Sequence, residues 1–240
     1  MMTPAHLLLL LGLWSVDARQ APSASRQLVV VTTPAWDSVN GTLRRYSRTG
    51  PTSPWVAEGP AVPIVVGQTG LAWGDAGAGT RRDPRKREGD GKAPAGRFPL
   101  GSVFGFGESA SIAGLRMPYV PLGDGTECVD DIASAHYNRV VDRGEVRRVD
   151  WTSAERMRSI DLYRLGIMVD YNTRPVRRGR GSCIFLHIWR AQGSPTSGCT
   201  AMRADDLETI ARWLDASRRP MLVQLPAAEY ARLRRRWSLP

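Results

Sequence analysis

The chain has 240 residues, 42% of them apolar, which is enough to bury a sizeable core and excludes a disordered polymer. Its formal net charge of +10 draws polyanions, either nucleic acid or the anionic material of a cell envelope. Only 3 Cys and 3 His are present, so a stretch that uses one of each stands out.

In chain order, MMTPAHLLLLLGLWSVDA (residues 1–18) reads as an export signal: an apolar run over 7–14, then small residues Val16 and Ala18 that suit cleavage before Arg19. The run is shorter than the ~20 residues that span a bilayer, and no later stretch approaches that length, so no transmembrane segment is expected in the mature chain. An uncleaved anchor is the alternative. Cleavage removes one acid, Asp17, and no Lys or Arg, which raises the formal charge by one. Export also makes the cysteine count matter, because an odd number in an oxidising compartment leaves one thiol over. If Cys199 is the reactive one, Cys128 and Cys183 remain, either as a disulfide or as buried thiols.

A polar linker (19–26) leads into one expected domain, 27–240. Short runs rich in Val, Ile and aromatics, punctuated by Gly, Pro and Asn, predict antiparallel strands: QLVVVTT from Gln27, TLRRYSR from Thr42, WVAEG from Trp55 and AVPIVVG from Ala61. A Gly-rich charged loop over 74–96 precedes FPLGSVFGFG. SAERMRSIDLYRLG holds a short helical turn from Ser153, and GIMVDYN and SCIFLHIW are further strands. One helix starts near Asp205, with Leu207, Ile210, Ala211 and Leu214 at i, i+3, i+4, i+7 and an Asp205–Glu208 capping pattern. A strand, MLVQLP, and a basic terminal helix over 227–237 follow. The fold class is mainly β, a mixed β-sandwich with a few short helices and α+β character at the C-terminal end. The basic runs (Arg81, Arg82, Arg85, Lys86, Arg87; Arg232, Arg234, Arg235, Arg236) read as a solvated loop and a solvated helix, and no nucleic-acid partner is expected.

The run HIWRAQGSPTSGCT places His187 and Cys199 on either side of a loop of turn formers. On a strand, Cys183, Phe185 and His187 share one face. A Cys3His zinc set with Cys128 fails on distance, since four residues of strand put Cys183 about 13 Å from His187. The same distance disfavours Cys183 pairing with a Cys199 that sits beside His187. No metal or cofactor is called for. GFGESA (105–110) fits G-x-G-x-x-A, but Gly114 and Pro118 leave no room for the helix. Gly193 to Gly198 has phosphate-loop spacing, but Cys199 stands where a lysine must be. No G-x-S-x-G elbow is present. Two readings remain: a structural thiol beside a core histidine, or a cysteine nucleophile ionised by His187 at the mouth of an open groove, with backbone N–H groups of Ser197, Gly198 and Cys199 aimed at a developing oxyanion.

These residues resemble the catalytic motif of the YkuD-type L,D-transpeptidases: a histidine on a strand, a loop, then Ser/Thr-His-Gly-Cys, a hydrophobic residue and Arg or Asn. Here the stretch reads His187, then Thr196-Ser197-Gly198-Cys199-Thr200-Ala201, and GDGKAPAGRFPLGSVFGFG (89–107) is similar to the family's GxxTPxGxF segment. The similarity runs over roughly 27–226. It implies Cys199 as nucleophile, His187 as base, the Ile188 carbonyl orienting the imidazole, and the three N–H groups as oxyanion hole. The implied substrates are peptidoglycan stem peptides, with a stem or protein amine as acyl acceptor. Hydrolysis by an L,D-carboxypeptidase or amidase, or a non-catalytic basic envelope-binding module, are the alternatives. Ser197 and Ala201 depart from the pattern, which leaves Arg190 or Arg203 to anchor substrate, with Trp189, Tyr137 and Asn138 as further cleft candidates.

Overall fold

The computed structural model describes residues 25–74, 79–80, 82–107 and 112–240. The export-signal reading of 1–18, most of the linker (19–24), Arg81 of the first basic run and residues 108–110 of GFGESA lie outside the described residues.

The run QLVVVTT forms β1 (Gln27–Thr33), buried on both faces, as a near-continuous apolar strand should be at the centre of a sheet. It pairs antiparallel with β2 (Asn40–Ser47) and parallel with β13 (Met221–Pro226). The two runs expected at 55 and 61 are one strand, β3 (Val56–Val65). Gly59 at φ 73° lets the chain pass through Pro60 without breaking, and the register against β2 slips between Leu43 and Arg45. A proline with no N–H is tolerated at such a bulge.

The long loop expected over 74–96 is interrupted. β4 (Leu71–Trp73) lies just before it, and β5 begins inside it and runs Ala93–Gly105. β5 joins the two halves of the molecule. Its first part pairs with β13, and its second with β10 (Leu165–Val169). β10 continues to β11 (Phe185–Ile188), which pairs parallel with β12 (Thr200–Met202), and β12 reaches β3. The sheet therefore closes on itself around a core that includes Leu28, Leu43, Ile64, Ile167 and Leu186, with β6 (Tyr119–Pro121) on the flank of β5.

Helix α1 (Ala204–Trp213) buries Leu207, Ile210 and Ala211 and packs on β10 and β11, as the apolar spacing requires. The anticipated Asp205 cap is replaced by Arg203, which has extended backbone and gives no side-chain cap. The chain enters the helix directly from β12, so Asp205 and Asp206 fall in the first turn, where negative charge suits the helix dipole. Helix α2 (Ala227–Leu233) is shorter than the expected 227–237. No helical turn starts at Ser153. Instead β7 (Thr126–Val129), β8 (Val140–Asp142) and β9 (Ala154–Arg156) make a second small sheet, followed by 3-10 turns at Met157–Ser159 and Asp161–Tyr163. The Cys128–Cys183 disulfide ties this sheet to the segment entering β11.

Gly67 sits where three backbone segments meet. A Cβ there would lie 2.3 Å from the Gly91 carbonyl oxygen and 2.8 Å from both Lys92 Cα and the Ala93 nitrogen. Gly67→Ala should therefore destabilise the fold by about 1–3 kcal/mol through overpacking. Gly123→Ala, whose Cβ would meet nothing nearer than a hydroxyl at 3.9 Å, should stay within about 0.5 kcal/mol of wild type. Denaturant unfolding of the two variants compares them directly.

Candidate active site

β11 holds only the end of SCIFLHIW. Cys183 lies outside it at φ 53°, so strand spacing does not govern where Cys183 stands. Cys183 pairs with Cys128 and not with Cys199, as expected, but the distance argument for it does not hold, since Cys183 and Cys199 touch. The Cys199 thiol donates to the Cys183 carbonyl at 3.3 Å and accepts the Phe185 N–H at 3.3 Å. The parallel register explains this placement: Leu186 is opposite Thr200, so the residue before Thr200 lies level with Phe185. His187 follows on the same face of β11 as Phe185. The Tyr163 ring packs edge-on against the imidazole at 5.2 Å and against Phe185 at 5.5 Å. Its hydroxyl donates to Glu155 Oε2 at 2.7 Å. One tyrosine thus joins the imidazole to a buried carboxyl, within the buried cluster that also holds Cys199.

His187 Nδ1 lies 2.8 Å from the Ile188 carbonyl. A carbonyl only accepts, so the proton sits on Nδ1 and the Nε2 lone pair is left as a base. Burial pulls the imidazole down to about 4, partly offset by that hydrogen bond. Burial pushes the Cys199 thiol far above its ordinary range, with Glu155 adding to the effect and the Phe185 N–H and Lys86 opposing it. The Glu155 carboxyl is raised by burial to about 7. The expected ionised sulfur in an open groove is corrected accordingly. Cys199 is 7% and His187 6% exposed, and both rest neutral, because burial strips each charged form of its hydration and the hydrogen bonds present do not make up that cost.

Thr196 organises the loop. Its backbone bonds Val66 and Gln68, and its hydroxyl donates to the Cys199 carbonyl at 2.7 Å while accepting the Gly198 N–H at 3.1 Å. Of the three N–H groups expected to face an oxyanion, that of Gly198 is already engaged. The other cleft candidates divide. Trp189 is half-buried and Arg190 exposed, in the turn after His187. Tyr137 and Asn138 belong to the scaffold: the Tyr137 hydroxyl donates to Glu88, and Asn138 bonds the Tyr171 and Asn172 carbonyls and the Cys183 N–H. Arg203 is held by Asp206 at 3.3 Å at the start of α1. Glu155, Tyr163 and Thr196 went unassigned in the sequence because their roles depend on a tertiary fold that brings β9, the 3-10 turn and the loop together.

A cleft of about 720 Å³ lies elsewhere, lined by Arg85, Arg97, Arg174, Arg177 and Arg180 over Phe98 and Tyr171, with Asp170 among its walls. Lys86 of the first basic run is buried at 4% exposure and paired with Asp90 at 2.6 Å, contrary to the solvated reading. Among the described residues, no three His, Cys, Asp or Glu side chains converge as metal ligands, and no helix is long and apolar enough to cross a membrane.

Residues 55–223 match the family described as YkuD, L,D-transpeptidase catalytic domain. The chain belongs to the YkuD family. That places it among the L,D-transpeptidase-type domains of peptidoglycan metabolism. The fold is also similar to the helical cell shape determining protein Pgp2 from Campylobacter jejuni, with 15% identity and a TM-score of 0.41, covering 83% of this chain and 47% of that one. The chain thus spans about half the length of Pgp2. No curated protein matches it.

The two buried titrating groups of this YkuD domain oppose each other in pH linkage. His187, held at about 4 against an ordinary 6.5, contributes stability that is present above pH 6.5 and lost as pH falls towards 4. Glu155, held at about 7 against 4.5, contributes stability that is present below pH 4.5 and lost as pH rises through 7. Each amounts to about 2–3 kcal/mol between pH 4.5 and 6.5. Wild type should therefore show a nearly flat unfolding free energy over that interval. Glu155→Gln should gain stability as pH rises, and His187→Gln should lose it. Denaturant midpoints at pH 4.5 and 6.5 read out all three.

Proposed function

We propose that the protein is an exported cysteine acyltransferase acting on peptidoglycan stem peptides. The observation that carries this reading is the Nδ1–H contact to Ile188, which leaves the Nε2 lone pair of His187 as the base, on the same strand as Phe185, whose N–H bonds the Cys199 sulfur. In the reaction the Cys199 S–H exchanges the Cys183 carbonyl for Nε2 and gives up its proton there. The sulfur electron pair attacks the carbonyl of the L-centred third residue of the stem. The carbonyl oxygen takes up negative charge near the backbone N–H groups of 197–199, and collapse expels D-alanine, which leaves with the proton from Nε2. An amine then takes the acyl group from the thioester, with His187 first accepting the amine proton and then returning one to the sulfur.

Starting from a neutral pair, proton transfer accompanies attack, so no standing thiolate is needed. Export is supported by the signal-like residues 1–18 and by the Cys128–Cys183 disulfide, a bond that persists in oxidising compartments. If water replaces the amine, the same steps make a carboxypeptidase or amidase.

Cys199→Ala should abolish both the covalent adduct with a carbapenem, a reagent the family resemblance suggests, and turnover of tetrapeptide stems. His187→Gln should lower acylation by roughly 100-fold or more. Mass spectrometry of the products separates transfer, seen as new crosslinks or amine exchange, from hydrolysis, seen as free acid. Turnover that survives loss of Cys199 would defeat the acyltransferase reading.

The arginine-lined cleft favours a second reading, in which the domain also binds an anionic envelope polymer. Its guanidinium groups flank aromatic walls, and Arg174 and Asp170 attract one another there. Arg174→Glu with Arg177→Glu should weaken binding of short-chain polyphosphate roughly tenfold and flatten its salt dependence while carbapenem labelling persists. Unchanged binding would remove this reading.

A further inference from the structure

Gln224 interrupts the apolar run of β13 and is 0% exposed. A buried amide is costly unless both of its ends are bonded. Here both are: the oxygen accepts the Thr200 hydroxyl at 2.6 Å, and the nitrogen donates to the Pro94 carbonyl at 2.9 Å. Thr200 is buried too and follows Cys199 directly, at the position that is hydrophobic in the YkuD motif. Gln27, the other fully buried glutamine among the described residues, bonds only main-chain atoms, at Trp213 and Asp215. Gln224 reaches a side chain, and that side chain is next to the proposed nucleophile.

We propose that Gln224 is a positioning residue that sets the Cys199 sulfur in place through Thr200. The peptide linking Cys199 to Thr200 is held on both sides. Its carbonyl oxygen accepts the Thr196 hydroxyl at 2.7 Å, and the residue that follows is tied by its own hydroxyl to Gln224. These two anchors restrict rotation about the Cys199 Cα–C bond, and with it the direction in which the thiol side chain leaves the backbone. This rests on Cys199 being the nucleophile.

The bridge also joins two backbone segments that frame the site. Pro94 lies in β5 just after Lys92, whose carbonyl oxygen stands 3.0 Å from where a Gly198 Cβ would be. One segment thus supports the nucleophile loop by contact at Gly198 and, through Gln224, at Thr200. Without the bridge Thr200 keeps its place opposite Leu186, but its side chain has no fixed partner. The sulfur then drifts from its own contacts, the Phe185 N–H and the Cys183 carbonyl, each at 3.3 Å. A misplacement of about 1 Å is enough to slow a reaction by as much as roughly 100-fold.

Thr200→Val removes the hydroxyl at nearly constant shape, Thr200→Ser keeps it, and Gln224→Met removes the amide. Each variant of the full chain is read by carbapenem acylation and by iodoacetamide alkylation of Cys199, the one thiol outside the disulfide. Thr200→Val and Gln224→Met should each lower the saturating rate of acylation roughly tenfold with the half-saturating concentration unchanged. Both should raise alkylation severalfold, as the sulfur leaves its backbone partners. Thr200→Ser, the conservative change, should recover most of both effects. The Thr200→Val/Gln224→Met double should be no more affected than Gln224→Met alone, because the same bond is lost. If Gln224→Met does not fold, the two Thr200 variants decide, since they differ at one site by one hydroxyl. Alkylation needs no peptidoglycan substrate, so a wild type that takes no carbapenem counts against the acyltransferase reading and leaves the bridge to be judged on alkylation. Equal alkylation of Thr200→Val and Thr200→Ser would overturn the bridge. So would an undiminished acylation rate in Thr200→Val, or single effects that multiply in the double.

Discussion

Removal of the thiol and imidazole from water is the constraint on which the site depends. An isolated thiolate and an imidazolium are each expensive to bury, and their mutual attraction repays that cost only with near-ideal geometry and further hydrogen bonds. Here the sulfur has one backbone N–H and the imidazole one carbonyl, so the neutral forms win. A base with a low pKa and a thiol with a high one form no standing ion pair, so in the proposed acyl transfer charge appears only when an acyl carbon is there to receive it. The Ile188 carbonyl fixes which nitrogen is the base, and it does so from the backbone, where no substitution at residue 188 removes it.

The scaffold makes this local arrangement possible through a parallel pair. Parallel neighbours need a connection that crosses over, commonly a helix of a dozen residues or more. Between β11 and β12 the crossover is the irregular segment 189–199, with no helix in it. Such a segment would leave its backbone groups unsatisfied without Thr196, which ties the loop to Val66 and Gln68 by its main chain and to Gly198 and Cys199 by its hydroxyl. Gly198 is needed for closeness, since a Cβ there would stand 3.0 Å from the Lys92 carbonyl. The turn formers in GSPTSGCT thus serve a crossover as much as the proposed nucleophile.

The legible part of the fold was the part governed by period. QLVVVTT and MLVQLP are adjacent central strands, each buried at all but one residue, and the i, i+3, i+4 spacing of Leu207, Ile210 and Ala211 marks the buried face of α1. His187 and Cys199 stood out in the sequence because rare residues flanked a glycine turn, and the fold brings both to the β11–β12 pair. The misses have one physical cause, that polar residues take their meaning from tertiary partners. Tyr137 and Asn138 looked available for a ligand but are used in clamping the segment before β11. Glu155 and Tyr163 stood in a stretch read only for a helical turn, and β7, β8 and β9 are too short for alternation to show. Cys183 misled because strand geometry was carried past its limit, to a residue with left-handed backbone.

That same residue links the two parts of the site. Through its sulfur Cys183 is bonded to Cys128 on β7, the strand that pairs with β9 and so with Glu155. Through its carbonyl it holds the Cys199 thiol. Its N–H is taken by Asn138, which leaves the residue restrained at three points in a conformation that a non-glycine residue adopts only at a cost. The covalent bond therefore does more than close a loop of 55 residues in the unfolded chain. It fixes the small sheet that carries the carboxyl against the segment that carries the thiol's acceptor. The separation between Glu155 and Cys199 is then set by a disulfide and two backbone contacts rather than by the packing of a mobile loop.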